Sequence, residues 1–183
     1  LNDKNYFKNK YFLQNNYSNK YNKNSIYVYD DYLFTGDGSG KIKMLDIRCW
    51  IYPEVASGLN NKVIPTFNHD NDAIIKLIVY KIKNKKYLFT LTYKSIKMWD
   101  IYSSENLHEF VNTTNIDNRY SDMNIYQDKN NNYYLAATSS NNIKIWNISN
   151  VCANNECNYI RYINTGNSNN NKVILNEIDY INL

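Results

Sequence analysis

A short pattern of alternating apolar and polar positions occurs three times along the chain. The central copy is IKMWDI at residues 96–101, with IKMLDI before it at 42–47 and IKIWNI after it at 143–148. Alternation with a period of two, in segments rich in β-branched residues, predicts a strand with one face in a core. The copies lie roughly 50 residues apart, a spacing typical of repeat architectures. The chain is therefore predicted to be all-β and built from a repeated strand unit.

Each copy is preceded by a second strand-like segment, so that the repeated unit contains a hairpin. These segments are residues 32–36, 87–90 and 134–138. With further strands on either side, the predicted units cover about residues 26–67, 68–111 and 121–163, and another begins at 172–183. Residues 1–25, rich in Asn, Lys and Tyr, form either a lead-in or the outer strand of a preceding unit.

Composition narrows the class of protein but does not identify a partner. The 183 residues carry a net charge of +4 from scattered lysines, which does not indicate nucleic-acid binding. Three cysteines without paired Cys-x-x-Cys spacing favour a reduced protein of the cytoplasm or nucleus. No apolar run is long enough to span a bilayer, so no membrane partner is expected. The Asn-rich tracts are interpreted as solvated loops.

No segment predicts catalysis, a cofactor or a metal ion. The glycine-rich run at residues 36–41 leads into a strand, lacks the Ser or Thr of a phosphate-binding loop, and is interpreted as a tight turn. The acidic run at 69–72 lacks the glycine and glutamate of a calcium loop. With two histidines and no nucleophile motif, we expect a protein that is not an enzyme. The basic run at 81–86 is interpreted as a solvated turn, with contact to phosphate or to an acidic partner surface as the alternative.

Taken together, these segments resemble the WD-repeat β-propeller family. The resemblance rests on Trp99-Asp100 and Trp146-Asn147 at strand ends, on the preceding strands, and on Asn68-His69 where the family has Gly-His. It implies a propeller of about three blades, with parts of flanking blades in an incomplete ring. It also implies a structural role for a buried hydrogen-bonded set of His69, Trp99 and either Thr90 or Thr92, and for Trp146 in the third blade. The hairpin turn of that set lacks the family's Asp.

An incomplete ring leaves edges and faces that invite pairing with other chains. Three explanations stay open, in descending order of preference: the sequence is a piece of a longer chain that supplies the remaining blades, the chain self-associates, or a partner completes the ring.

The function that this resemblance implies is a non-enzymatic scaffold for protein–protein interaction within a multiprotein complex. Binding is expected at the turns between the second and third strands, because loops on a rigid framework are free to vary. The candidate partner-binding residues are Ser39, Tyr93, Lys94, Ser140 and Asn141. The alternatives are a substrate-recognition propeller of a ubiquitin ligase and an RNA-associated scaffold in ribosome assembly.

Overall fold

The computed structural model describes residues 25–48, 66–111, 119–139, 142–150 and 158–164, the last range without its side chains. Within these ranges, twelve β-strands form three four-stranded antiparallel sheets. Sheet 1 contains β1 (Ser25–Tyr29), β2 (Tyr32–Gly36), β3 (Lys41–Asp46) and β4 (Thr66–Asn68). Sheet 2 contains β5 (Lys76–Ile82), β6 (Lys85–Leu91), β7 (Ser95–Asp100) and β8 (Asn106–Val111). Sheet 3 contains β9 (Tyr120–Gln127), β10 (Tyr133–Ser139), β11 (Asn142–Asn147) and β12 (Asn158–Asn164).

In each sheet the strands are neighbours in the order in which they follow one another along the chain. The repeated sequence pattern forms the third strand every time, as β3, β7 and β11. The register is also the same, because the equivalent cross-strand pairs are Leu33 with Leu45, Leu88 with Trp99, and Leu135 with Trp146. The chain is therefore all-β over its described residues, and its repeat is structural as well as sequential.

Sheet 2 lies between the other two and buries both of its faces. We call its contact with sheet 1 the first joint and its contact with sheet 3 the second joint. The first joint is filled by Phe34, Ile42, Met44, Phe67, Leu77, Val79, Leu88 and Trp99. The second is filled by Phe89, Leu91, Met98, Phe110, Met123, Leu135, Ala137 and Trp146. These alternating positions explain why the two central strands of sheet 2, β6 and β7, are buried almost throughout.

One aromatic contact is repeated in both joints. Phe67 of β4 meets the edge of Trp99 with ring centroids 5.7 Å apart, and Phe110 of β8 meets Trp146 at 5.3 Å. Both phenylalanines occupy the outermost strand of their own sheet and contact the tryptophan of the next sheet. Such edge-to-face pairs stabilise beyond the area that they bury.

The acidic or amide residue that closes each third strand forms the same turn. The Oδ1 atom of Asp46, Asp100 and Asn147 accepts a hydrogen bond from the backbone N–H two residues later, at 3.0, 2.8 and 2.9 Å. This local bond turns the chain at the strand end. A carboxylate and an amide oxygen serve equally well, which accounts for the Asn in the third copy.

Two edges of the stacked sheets differ in what they carry. The upper edge bears the β2–β3 and β6–β7 turns together with the connection from β4 to β5. The lower edge bears the β1–β2, β5–β6 and β9–β10 turns. At the lower edge the basic run 81–86 is mostly strand, since β5 continues to Ile82 and β6 begins at Lys85. The expected lysine-rich turn is therefore only two residues long.

Several predicted features fall outside the described residues. They are the segments 1–24 and 172–183, the three cysteines, Ser140 and Asn141. Within the described ranges, no helix is long and apolar enough to cross a membrane.

Candidate functional site

Backbone hydrogen bonds fasten the chain that leads into sheets 2 and 3 to the hairpin turn of the preceding sheet. The N–H of His69 donates to the carbonyl of Gly40 at 2.8 Å, and the N–H of Tyr120 donates to the carbonyl of Tyr93 at 3.0 Å. Gly40 has a φ of 84°, and a Cβ added there would lie 1.9 Å from the carbonyl oxygen of Asp70. Only glycine permits both this conformation and this close approach. The turn and the connection thus form one rigid element.

Beneath this element lies a buried set of polar side chains. His69 places Nδ1 2.6 Å from Thr90 Oγ1 and Nε2 3.0 Å from Ser95 Oγ. The indole N–H of Trp99 donates to the same Thr90 oxygen at 2.9 Å. Thr90 can accept from the indole and donate to His69, whose other nitrogen then donates to Ser95, so one arrangement of protons satisfies every member. The structure therefore brings together His69, Thr90 and Trp99, and it selects Thr90 over Thr92.

The environment of His69 favours a neutral ring. Its side chain is fully buried, and burial together with the nearby ammonium of Lys97 lowers its pKa to about 4, against the opposing effect of Asp70. At neutral pH the ring is uncharged and acts as a hydrogen-bonding bridge. Protonation would place a charge among partners that are neutral hydroxyls and an indole.

Next to this set, the side chain of Lys97 extends from β7 to the connection between β4 and β5. Its Nζ lies 2.7 Å from Asp70 Oδ1 and 3.9 Å from Glu109 Oε2. The hydrogen bond with Lys97 is the main cause that lowers the pKa of Asp70. Asp70 is more than half exposed, so the pair contributes little to stability and mainly orients the connection.

The candidate binding residues that the structure describes all lie on the upper edge. The backbone N–H and the hydroxyl of Ser39 both donate to Asp37 Oδ1, at 2.8 and 2.7 Å, so Ser39 is held within its own turn. Tyr93 is half-buried beneath the guanidinium of Arg119, which lies 5.7 Å from the ring centroid. Lys94 is exposed. Ser39 and Lys94 thus occupy equivalent turns of neighbouring sheets.

A further ion pair at this edge was not anticipated from sequence. Lys76 Nζ lies 2.7 Å from Asp122 Oδ1. The two residues occupy equivalent positions at the start of the first strand in sheets 2 and 3, opposite Leu91 and Thr138. Opposite charges at matching positions of successive repeats are a signal that could have revealed the pair. Ser95 and Arg119 were also missed.

The second joint replaces the polar set with aromatic packing. Tyr120 occupies the position in the second joint that His69 occupies in the first. The centroid of its ring lies 6.5 Å from that of Trp146. Ala137 occupies the position of Thr90, as the register shows, and has no hydroxyl to offer. Lys144 sits as Lys97 does, buried, with its Nζ 5.9 Å from the centroid of the Tyr120 ring. Burial lowers the pKa of Lys144.

The chemistry of the upper edge is that of a surface with fixed polar and aromatic groups. Over the described part of the chain, no three His, Cys, Asp or Glu side chains come together to hold a metal ion. The upper edge instead offers hydrogen-bonded turns, the ion pairs made by Lys76 and Lys97, and Tyr93 stacked with Arg119.

No family model matches the sequence, and no curated protein matches it. Solved structures with a similar fold include two computationally designed proteins. The Ika8 protein gives a TM-score of 0.52 at 13% identity, covering 76% of this chain and 35% of the Ika8 chain. The Ika4 protein gives 0.50 at 14% identity, covering 79% of this chain and 74% of that one. This chain thus spans about a third of the length of Ika8, and at these identities the likeness concerns the fold alone.

Proposed function

We propose that the chain is an arc of a WD-repeat β-propeller and serves as a non-enzymatic scaffold that binds a protein or peptide at its upper edge. The observation that carries this proposal is the buried bridge of His69, Thr90 and Trp99. It joins a connecting loop to two strands at the positions that the family resemblance implies. Ser95 takes the place of the family's Asp at the other side of the ring.

The upper edge suits a binding role because its framework is fixed while the β6–β7 turn exposes Lys94. Hydrogen bonds hold the connection against the neighbouring turn, so binding would order few backbone groups. Half-buried Tyr93 beside Arg119 is the kind of pair found at the centre of interfaces. Exposed Lys94 adds a charge that can steer an incoming partner.

The face of sheet 1 that points away from the first joint supports an arc completed by further blades. Ile26 and Val28 are 67% and 56% exposed there, and the equivalent residues of sheet 2, Leu77 and Val79, are buried in the first joint. The missing blades come from a longer chain, from a second copy or from a partner. Light scattering coupled to gel filtration tests the second of these cases: oligomers point to completion by further copies, and a monodisperse monomer argues against self-association.

A photo-crosslinking residue tests the binding edge directly. Placed at Lys94, it should capture a partner in cells that the same residue at Lys129, on the lower edge, does not capture. The captured partner is then purified, and its Kd is measured for the wild type, for Y93A/K94A and for the control K129A/N130A. We expect the first variant to weaken binding about tenfold or more and the control to leave it unchanged.

Equal capture of the same partner from Lys129, or an unchanged Kd for Y93A/K94A, would show that the edge is wrongly assigned. Circular dichroism of both variants checks that the fold is retained. The nature of the captured molecule also decides between the narrower roles. A ubiquitin-ligase subunit or substrate supports the recognition role, and capture of RNA supports the ribosome-assembly role.

A further inference from the structure

At the lower edge, the hairpin β5–β6 is longer than the hairpin β1–β2 of sheet 1. In sheet 1 the hairpin β1–β2 ends with the pair Tyr29 and Tyr32. The hairpin of sheet 2 continues past the equivalent position for two further pairs, which are Lys81 with Lys86 and Ile82 with Lys85. We call residues 81–86 the lysine tip. It overhangs sheet 1 by a length that the sequence pattern did not predict.

The lysine tip is held in place on both sides. Ile82 is fully buried in the second joint, and the backbone N–H of Lys83 donates to Tyr133 Oη at 3.3 Å. On the side of sheet 1, Lys86 forms an ion pair with Asp30, and its Nζ lies 5.3 Å from the centroid of the Tyr29 ring. The hairpin is therefore preorganised, and a partner would need to order only lysine side chains.

Three lysines of this tip present their charge to solvent. Lys81, Lys83 and Lys85 are exposed, and none of them forms an ion pair within the described part of the chain. The carboxylate of Asp30, in the neighbouring hairpin β1–β2, is already engaged by Lys86. Three like charges on one short hairpin create a local positive potential that attracts anionic groups.

Two other carboxylates of the lower edge are engaged locally. Asp46 pairs with Arg48, and the side chain of Asp128 accepts bonds from Asn132 within its own turn. These bonds lower the pKa of both carboxyl groups, so they stay ionised but are committed to their own turns. Neither of these two carboxylates is therefore paired with a lysine of the tip.

We propose that the lysine tip is a second docking surface, which binds an acidic segment of a partner protein. The tip extends beyond the β1–β2 hairpin and carries no aromatic side chain between residues 81 and 86. Sites for single-stranded nucleic acid include a series of aromatic platforms, which residues 81–86 do not supply. Exposed lysine ammonium groups on this hairpin suit clustered Asp and Glu side chains. The surface lies on the edge opposite the one proposed for scaffold binding and does not depend on it.

The test uses a fluorescein-labelled hexaglutamate peptide and fluorescence anisotropy. The variant K81Q/K83Q/K85Q removes the three exposed charges of the tip. The control K41Q/K43Q/K94Q removes three exposed charges at and near the upper edge, so both proteins keep the same net charge. We expect the wild type and the control to bind the peptide, the tip variant to lose at least about tenfold in affinity, and added salt to weaken binding.

Three results would overturn the proposal. In the first, the tip variant binds as the wild type does. In the second, the control loses as much affinity as the tip variant, which means that overall charge alone attracts the peptide. In the third, a labelled oligouridylate binds through the same lysines more tightly than the peptide, which makes the tip a nucleic-acid site. The variant Y93A/K94A should leave peptide binding unchanged, so failure here is distinct from failure at the upper edge.

Discussion

The two joints of this protein perform one structural task with different chemistry. In the first joint His69 meets Trp99 with ring centroids 6.4 Å apart and an interplanar angle of 64°; in the second, Tyr120 meets Trp146 at 6.5 Å and 63°. Only the first joint adds the bridging threonine. The common requirement is thus a planar ring, at or just before the start of a sheet, that packs against the tryptophan of that sheet. The polar bridge is an addition that makes one joint sensitive to protonation.

Removing this ring from the second joint should have the largest effect. Tyr120→Ala deletes an almost fully buried aromatic ring, and we expect a loss of about 3 to 5 kcal/mol in the free energy of unfolding. Urea unfolding followed by circular dichroism measures it. Tyr120→Phe keeps the ring and should retain most of the stability. If the two variants are equally damaged, the ring is not the part that matters.

Acid should weaken the first joint through His69. The folded-state pKa of about 4 lies below the ordinary 6.5, so between these values the unfolded chain binds more protons. The stability that His69 contributes is present above pH 6.5 and is lost as the pH falls towards 4, by about 3 kcal/mol in all. Urea midpoints measured across this window should fall with pH.

Two histidine variants separate this effect from general acid destabilisation. His69→Gln should flatten the pH dependence between about 6.5 and about 4, whereas His108→Gln leaves the buried ring in place and should keep it. A pH dependence that persists unchanged without His69 would show that another group is responsible.

The smallest effect should come from the bridging hydroxyl. Thr90→Val keeps the shape but leaves His69 Nδ1 and the indole N–H of Trp99 without their partner, which costs about 1 to 3 kcal/mol. Thr90→Ser retains the hydroxyl and serves as the control. A valine variant as stable as the serine variant would mean that the bridge contributes nothing. The second joint has Ala137 at the position of Thr90, so such a joint can also be built around alanine.

Much of the fold was predictable because strands that bury one face alternate apolar and polar residues with a period of two. The third strands were placed by their repeated pattern, and the register follows from Trp99 and Trp146. The extension of β5 was not predictable, because Ile82 stands alone among lysines and only finds its apolar surroundings when sheet 3 packs against it. Ser95 and Tyr120 were missed for a different reason. Each occupies a position at which the resemblance leads one to expect another type of residue.

The ion pair between sheets has no local sequence signal, apart from the matching positions of its two residues in successive repeats. Lys76 and Asp122 are 46 positions apart, and their contact exists only because two sheets stack in register. The upper edge could be proposed from turn positions, but its ion pairs and the stacking of Arg119 on Tyr93 required the packed arrangement.

The turn that closes each third strand bears on how such a chain can diverge. Asp46, Asp100 and Asn147 all supply one acceptor oxygen to a backbone N–H, and the bond is equally short with the amide. A neutral residue can therefore replace an acidic one at these corners at little energetic cost. Lineages that accumulate asparagine can thus lose the aspartate that closes the third strand of the repeat while the fold is retained.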